Sequence, residues 1–293
     1  MTDDVLRWGA PAPPLNSPVL LIALRGWFDT AGVASSALDH VVSNRTPAVV
    51  AEIDPDSFYD FTQLRPEVRL DDDRPVLTWP RNAFEAVRFR ETEHDIVALN
   101  GAEPHLRWRT YVDAVLDVVR EIGISAVVTL GAMPDAIPHT RRPPVVGSTP
   151  DPRLARRLGL SVPTYQGITG VIGALQEALE REGVPAISLR VGVPHYLANA
   201  RHPASSAALL AHLEHVLGVP LHSSALDAEI AEWREAHDGA VAGSPDTKAY
   251  VRMLEADFDR RTEEAIPTAD DLGAEFERYL QEGRHPDDED DEE

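Results

Sequence analysis

The spacing of apolar residues along this chain switches between two periods. Residues 165–191, YQGITGVIGALQEALEREGVPAISLRV, hold both in one stretch. A glycine-rich turn comes first. Val171, Ile172, Leu175 and Leu179 then recur at helical spacing, while Glu177, Glu180, Arg181 and Glu182 take the opposite face. Gly183 stops the helix, and residues 186–191 resume as an apolar strand. A helix that feeds directly into an apolar strand is half of a βαβ unit, and the same alternation fills most of the chain.

Residues 1–17 hold Pro11, Pro13 and Pro14 with little periodicity and are expected as an arm. Residues 19–24, VLLIAL, form an unbroken apolar run, the pattern of a strand buried on both faces. A turn follows, and Asp29 or Thr30 is placed to cap a helix reaching about Val42. Further strands are expected at 48–53, 96–99, 126–130 and 186–191, with helices at 105–122, 154–158 and from Pro203 to Leu217. Residues 54–94 break the rhythm. Two short strands at 68–70 and 76–79 flank the acids 71–73, a third is expected at 86–90, and the segment reads as an excursion from the sheet. Val145 and Val146 suit an edge strand within the proline-rich loop 131–152. After residue 222 the strands cease, and helices are expected at 225–237, from Ser244-Pro245 with Val251, Leu254 and Phe258 on one stripe, and at 268–280. The fold class is therefore α/β: three layers, α/β/α, around a mainly parallel sheet, with a C-terminal helical extension. The expected division is an arm at 1–17, an α/β domain at 18–222, a helical extension at 223–282 and a disordered acidic tail at 283–293.

Composition narrows the chemistry. A chain of 293 residues without cysteine buries roughly 75% of its unfolded surface on folding, without disulfides, thiolate nucleophiles or cysteine zinc sites. A net charge of −22 repels phosphate backbones, so nucleic acid is not an expected partner. No run approaches the length of a membrane span, and the acidic start MTDDVLRW has no apolar leader core, so no membrane partner and a cytoplasmic location are expected. Lys248 is the single lysine and lies outside the α/β part. That argues against an ATP-grasp carboxylate–amine ligase, which grips phosphates with lysine.

The motifs GWFDTAG, DPDSFYDF, RPEV, LTWP, NGAEPHLRW, TLGAMPDAIPHTR, QGITGVIGAL and VGVPHYL occur in this order. Together they resemble the proteasome assembly chaperone 2 family, in its bacterial, actinobacterial-type branch, over roughly residues 18–222, and the helical C-terminal part resembles the extension of that branch. The resemblance implies a fold similar to purine nucleoside phosphorylases and related hydrolases, and a cytoplasmic homo-oligomer, with a trimer favoured. It implies protein partners, proteasome components among them, no cofactor and no established enzymatic activity. Relatives that dock on the proteasome often end in a hydrophobic–tyrosine–any motif. This chain ends DDEDDEE, and its last tyrosine, Tyr279, follows Arg278.

Ligands of open α/β sheets bind beyond the carboxyl ends of the strands. That face should collect Asp29, Asn100, Glu103, His139, Arg141, Arg142 and His195. Gly167, Thr169 and Gly170 open a helix whose free N–H groups suit an anion; close packing of the helix on the sheet is the favoured reading of such glycines, and no dinucleotide fingerprint surrounds them. Asp29 suits a cap, with a base in the cleft as its functional alternative. Glu103, ahead of His105, suits an acid at a helix start. The forks of Arg141 and Arg142 suit phosphate or carboxylate, or acids of a neighbouring subunit. His212 and His215 lie at i, i+3 without a closed ligand pattern, and no metal is expected. Trp27, Trp79 and Trp108 are expected in the core or an interface. An enzyme at this face, a nucleoside phosphorylase or hydrolase, requires Arg141, Asn100 and His195 to converge on one pocket. No residue is assigned a catalytic role.

Overall fold

All six residues of the apolar run 19–24 are buried, and they alternate between two cores. Leu20, Ile22 and Leu24 enter one cluster; Val19, Leu21 and Ala23 enter the other. The computed structural model describes residues 2, 4–9, 14–43, 45–89 and 92–264. Its elements are β1 (Leu6–Trp8), β2 (Val19–Arg25), α1 (Val33–Ser43), β3 (Ala48–Ile53), β4 (Glu67–Asp71), β5 (Arg74–Thr78), β6 (Asn82–Val87), β7 (Ile96–Ala102), α2 (Trp108–Ile122), β8 (Ala126–Asp135), β9 (Val145–Ser148), α3 (Pro152–Leu158), α4 (Val171–Arg181), β10 (Ala186–Pro194), α5 (Pro203–Leu217), α6 (Asp227–Ala242) and α7 (Pro245–Glu264).

The main sheet has eight strands in the order β1-β3-β6-β7-β2-β8-β10-β9. Its centre, β7-β2-β8-β10, is parallel, and its margins pair antiparallel. Helices α2 and α4 cover one face, and α1 and α5 the other. This is the three-layer α/β/α arrangement expected from the alternation of strands and helices. The stripe of α4 is buried at Val171, Ile172, Leu175 and Leu179, as its spacing requires.

Three segments differ from the sequence reading. Residues 6–8, inside the expected arm, pair with β3. β6 is no excursion: it lies between β3 and β7, because Ala83, Phe84, Ala86 and Val87 are all buried within the sheet. Helix α1 begins at Val33, not near Thr30, because Ala31 and Gly32 take positive φ of 58° and 64°.

The β4–β5 hairpin forms as expected but stands apart as a two-stranded sheet with every residue exposed. Its loop, Asp72-Asp73, has φ of 46° and 61°. Positive φ at both positions is the geometry whose twist matches a two-residue hairpin.

The chain divides into two compact units, residues 1–240 and 241–293. In the second, Val251 and Leu254 of α7 are buried. The expected helix at 268–280 and the acidic tail at 283–293 lie outside the described residues. No helix among the described residues is long and apolar enough to cross a membrane.

Candidate functional site

Where β2 and β7 end, the chain leaves the sheet and encloses a cleft of about 720 Å³. Its floor is Arg25, Gly26 and Ala102, and its walls include Trp27, Leu64, Glu103, His105, Trp108, Ile168, Thr169 and Gly170. Glu103 organises it. One carboxylate oxygen accepts from the Trp27 N–H at 3.1 Å, the other from the Val171 N–H at 3.3 Å. Its own N–H donates to the Arg25 carbonyl at 2.8 Å. The acid therefore sits at the first turn of α4, where it complements the positive end of the helix dipole. Sequence spacing placed it at the start of the following helix, α2; the fold uses it 68 residues further on. A Cβ on Gly26 would lie 2.7 Å from one Glu103 oxygen, and one on Gly170 would lie 2.9 Å from the other. These two glycines make room for the carboxylate. At Val171, the anion that the helix start suits is a side chain of the protein itself. Gly167 lies against the Tyr165 ring, whose hydroxyl donates to the Ile168 carbonyl at 3.0 Å.

Asp29 and Asn100 do different work. The Asp29 carboxylate accepts from Ala34 N–H at 2.7 Å and Ser35 N–H at 3.3 Å, capping α1. Burial pushes its carboxyl above the ordinary value, against the hydrogen bonds from Ser35 and Ala34. Asn100 donates to the Ser35 carbonyl at 3.1 Å and to Asp39 at 2.6 Å, so it ties β7 to the same helix. Asp29→Ala removes a buried acceptor from two N–H groups and is expected to destabilise the protein by about 2 kcal/mol. A denaturant midpoint unchanged in that variant would show that the cap contributes nothing.

The remaining candidates gather beyond the ends of β8 and β10. The ring of His139 is buried. Its Nδ1 lies 2.7 Å from the Tyr196 hydroxyl and its Nε2 lies 3.2 Å from Asp238. Trp233 of α6 packs edge-on against His139 and His202, and stacks on His237. His202 is buried and caps α5 by accepting from the Ser205 N–H at 3.1 Å. Arg142 lines a separate cavity of about 240 Å³ with Asp227 and Arg234. Arg141 contacts Thr140, and His195 Nδ1 lies 3.1 Å from the Asp135 carbonyl.

Glu103, expected at the strand ends, and Thr169 and Gly170, expected at the helix opening, line the 720 Å³ cleft. Arg141, Asn100 and His195 do not, so the convergence that an enzyme there requires is absent from this cleft. Trp27, Trp79 and Trp108 are not core residues, and Trp27 is 61% exposed. Sequence reasoning missed two features. One is the apolar mouth of the cleft, where Ile168 is 86% exposed; an isoleucine inside the glycine-rich QGITG turn, off the α4 stripe, was its only signal. The other is the aromatic–histidine group, whose members lie up to 98 residues apart, from His139 to His237.

The sequence model of the PAC2 family matches residues 23–241. A PAC2 family protein of Streptomyces avermitilis is 37% identical, with a TM-score of 0.74 over 80% of this chain and 99% of that one. A Mycobacterium tuberculosis proteasome-assembly chaperone homologue is 33% identical, with a TM-score of 0.71 and the same coverage. Pyrococcus furiosus PbaB, an archaeal proteasome activator, is 18% identical and shares the fold, with a TM-score of 0.64 over 80% of this chain and 98% of that one. No curated protein matches. The family match runs from within β2 through the rest of the sheet, both helical layers and the cleft, and the two structures above 30% identity cover four-fifths of the chain: the chain belongs to the PAC2 family.

Proposed function

We propose that this chain works by holding other proteins, as an assembly-chaperone-like homo-oligomer with proteasome components among its partners and no catalysis of its own. One observation carries the reading. Among the described residues, large apolar side chains stand exposed on the β4–β5 hairpin at Val68, Leu70, Val76 and Leu77 with Trp79 just past it, and around the cleft at Trp27, Leu106, Trp108, Tyr165 and Ile168. Single exposed apolar residues are ordinary, whereas groups of them mark interaction sites. The cleft's carboxylate, Glu103, is already engaged by two backbone N–H groups, which fix it as part of the scaffold at the start of α4. The relatives described as a proteasome-assembly chaperone homologue and a proteasome activator support the choice of partner.

The test is sedimentation of the full chain with purified proteasome core particles and with free α-subunits. Association at about 1 μM or tighter is expected. No association with either form removes proteasome components from the proposal. The cleft's volume also falls within the range of small-ligand sites, roughly 300–1,000 Å³. Turnover of a nucleoside with phosphate would replace the protein-binding reading with an enzymatic one.

A further inference from the structure

The hairpin and the cleft differ in shape and charge, and both are present on one chain. The pairing register sets Val68 opposite Leu77 and Leu70 opposite Pro75. Directly paired residues share a face, as do residues two apart, so these four make one apolar face. Glu67, Arg69, Asp71, Arg74 and Thr78 stand on the other, joined only by Val76. Leu70 is 72% and Val68 66% exposed. A two-stranded hairpin with a bare apolar face is marginal in water and gains stability when that face is covered. Its base is held in place, because Trp79 packs edge-on against Phe61 with ring centroids 4.9 Å apart. The cleft has the complementary character. Trp27, Trp108 and Ile168 give it an apolar mouth, Arg25 and His105 stand in its lining, and Glu103 is held by backbone N–H groups. The hairpin's tip carries three consecutive acids, Asp71, Asp72 and Asp73.

We propose that the β4–β5 hairpin of one copy seats its Val68–Leu70–Pro75–Leu77 face in the mouth of the 720 Å³ cleft of a second copy, with its acidic tip toward Arg25 and His105. The proposal rests on the homo-oligomer reading above and specifies its geometry. Hairpin and cleft are different surfaces, so the contact is head-to-tail, and a head-to-tail contact closes into a ring when its rotation allows. The charge match also answers a difficulty. Two chains of −22 repel each other, and a local pairing of acids with Arg25 offsets that repulsion at the contact.

The experiment uses the full chain and two variants at exposed positions, Leu70→Asp in the hairpin and Ile168→Asp in the cleft mouth. Mass is measured by analytical ultracentrifugation. Wild type is expected to be an oligomer, and each variant alone to self-associate at least about 100-fold more weakly. An equimolar mixture of the two is expected to form a heterodimer, because the intact hairpin of one variant meets the intact cleft of the other. Since the chain has no cysteine, single variants Leu70→Cys and Ile168→Cys give a second readout. Oxidation should link them to each other faster than either links to itself. Wild-type mass in both aspartate variants would overturn this geometry and leave the oligomer standing. A mixture that stays monomeric, or preferential Leu70→Cys self-linking, would overturn the head-to-tail contact in favour of hairpin against hairpin. A wild type that is monomeric throughout would overturn both this inference and the homo-oligomer reading beneath it.

Discussion

Gly101→Ala is expected to cost about 4 kcal/mol, the sum of overpacking a filled core and stranding buried polar groups. A Cβ at this position would overlap the amide oxygen of Asn82. That oxygen accepts from the Ala102 N–H at 2.9 Å, while the two hydrogens of the amide nitrogen are shared among the Tyr59 hydroxyl, the Tyr111 hydroxyl at 2.9 Å and the Ala102 carbonyl at 3.3 Å. Tyr59 in turn donates to the Ala102 carbonyl at 2.7 Å. Asn82, Tyr59 and Tyr111 are all buried, so displacing the amide takes the partner from the Ala102 N–H and the Tyr111 hydroxyl, with no water to replace it, and leaves Tyr59 its bond to the Ala102 carbonyl alone. A loss of this size lowers the melting temperature by roughly 10 °C in a chain this long. The partner variant decides the cause. In an Asn82→Ala background the added methyl meets no amide, so Gly101→Ala should cost far less there than in wild type. Equal costs in the two backgrounds would show that the clash with Asn82 is not the reason.

Acidification is expected to weaken the fold through His202 more than through any other histidine. Burial, followed by the positive fields of His237 and His139, pushes its pKa down to about 4 from an ordinary 6.5. Protonation would also remove the acceptor that caps α5 at Ser205. The folded state binds fewer protons than the unfolded one between these two values, so stability rises with pH across that window. The neutral ring's contribution is complete above about pH 6.5 and is lost progressively below it, by about 2 kcal/mol at pH 5 and about 3 kcal/mol at pH 4. His202→Asn keeps an N-cap acceptor and removes the titration. Urea unfolding at pH 7.5, 6, 5 and 4.5 should give a steep decline in wild type and a shallower one in the variant. Parallel declines would assign the acid sensitivity to carboxylates elsewhere.

The parallel centre of the sheet was legible because its strands are buried on both faces and read as apolar runs, as residues 19–24 and 186–191 do. The amphipathic helices were legible for the same reason in the 3.6-residue period. β6 was harder. NAFEAV is short and begins with a polar residue, and only the buried network around Asn82 explains why that polar residue belongs inside. The site was legible in its parts and not in its grouping. Glu103 and Gly170 are 67 positions apart, and sequence alone cannot show that one fills the space the other leaves. Trp27 and Ile168 look like core residues in any composition count. Their exposure follows from the loops that carry them past the ends of the strands.

The two margins of the sheet end in strands of three and four residues, β1 and β9. A long bare margin is a template for uncontrolled pairing between chains, and short outer strands blunt it. Removing residues 1–9 would strip β1 from β3 and uncover a six-residue strand, AVVAEI, whose outward backbone groups then have no partner. Such a truncated chain is expected to precipitate while the full chain stays in solution. On that expectation the short opening segment guards the sheet margin against aggregation.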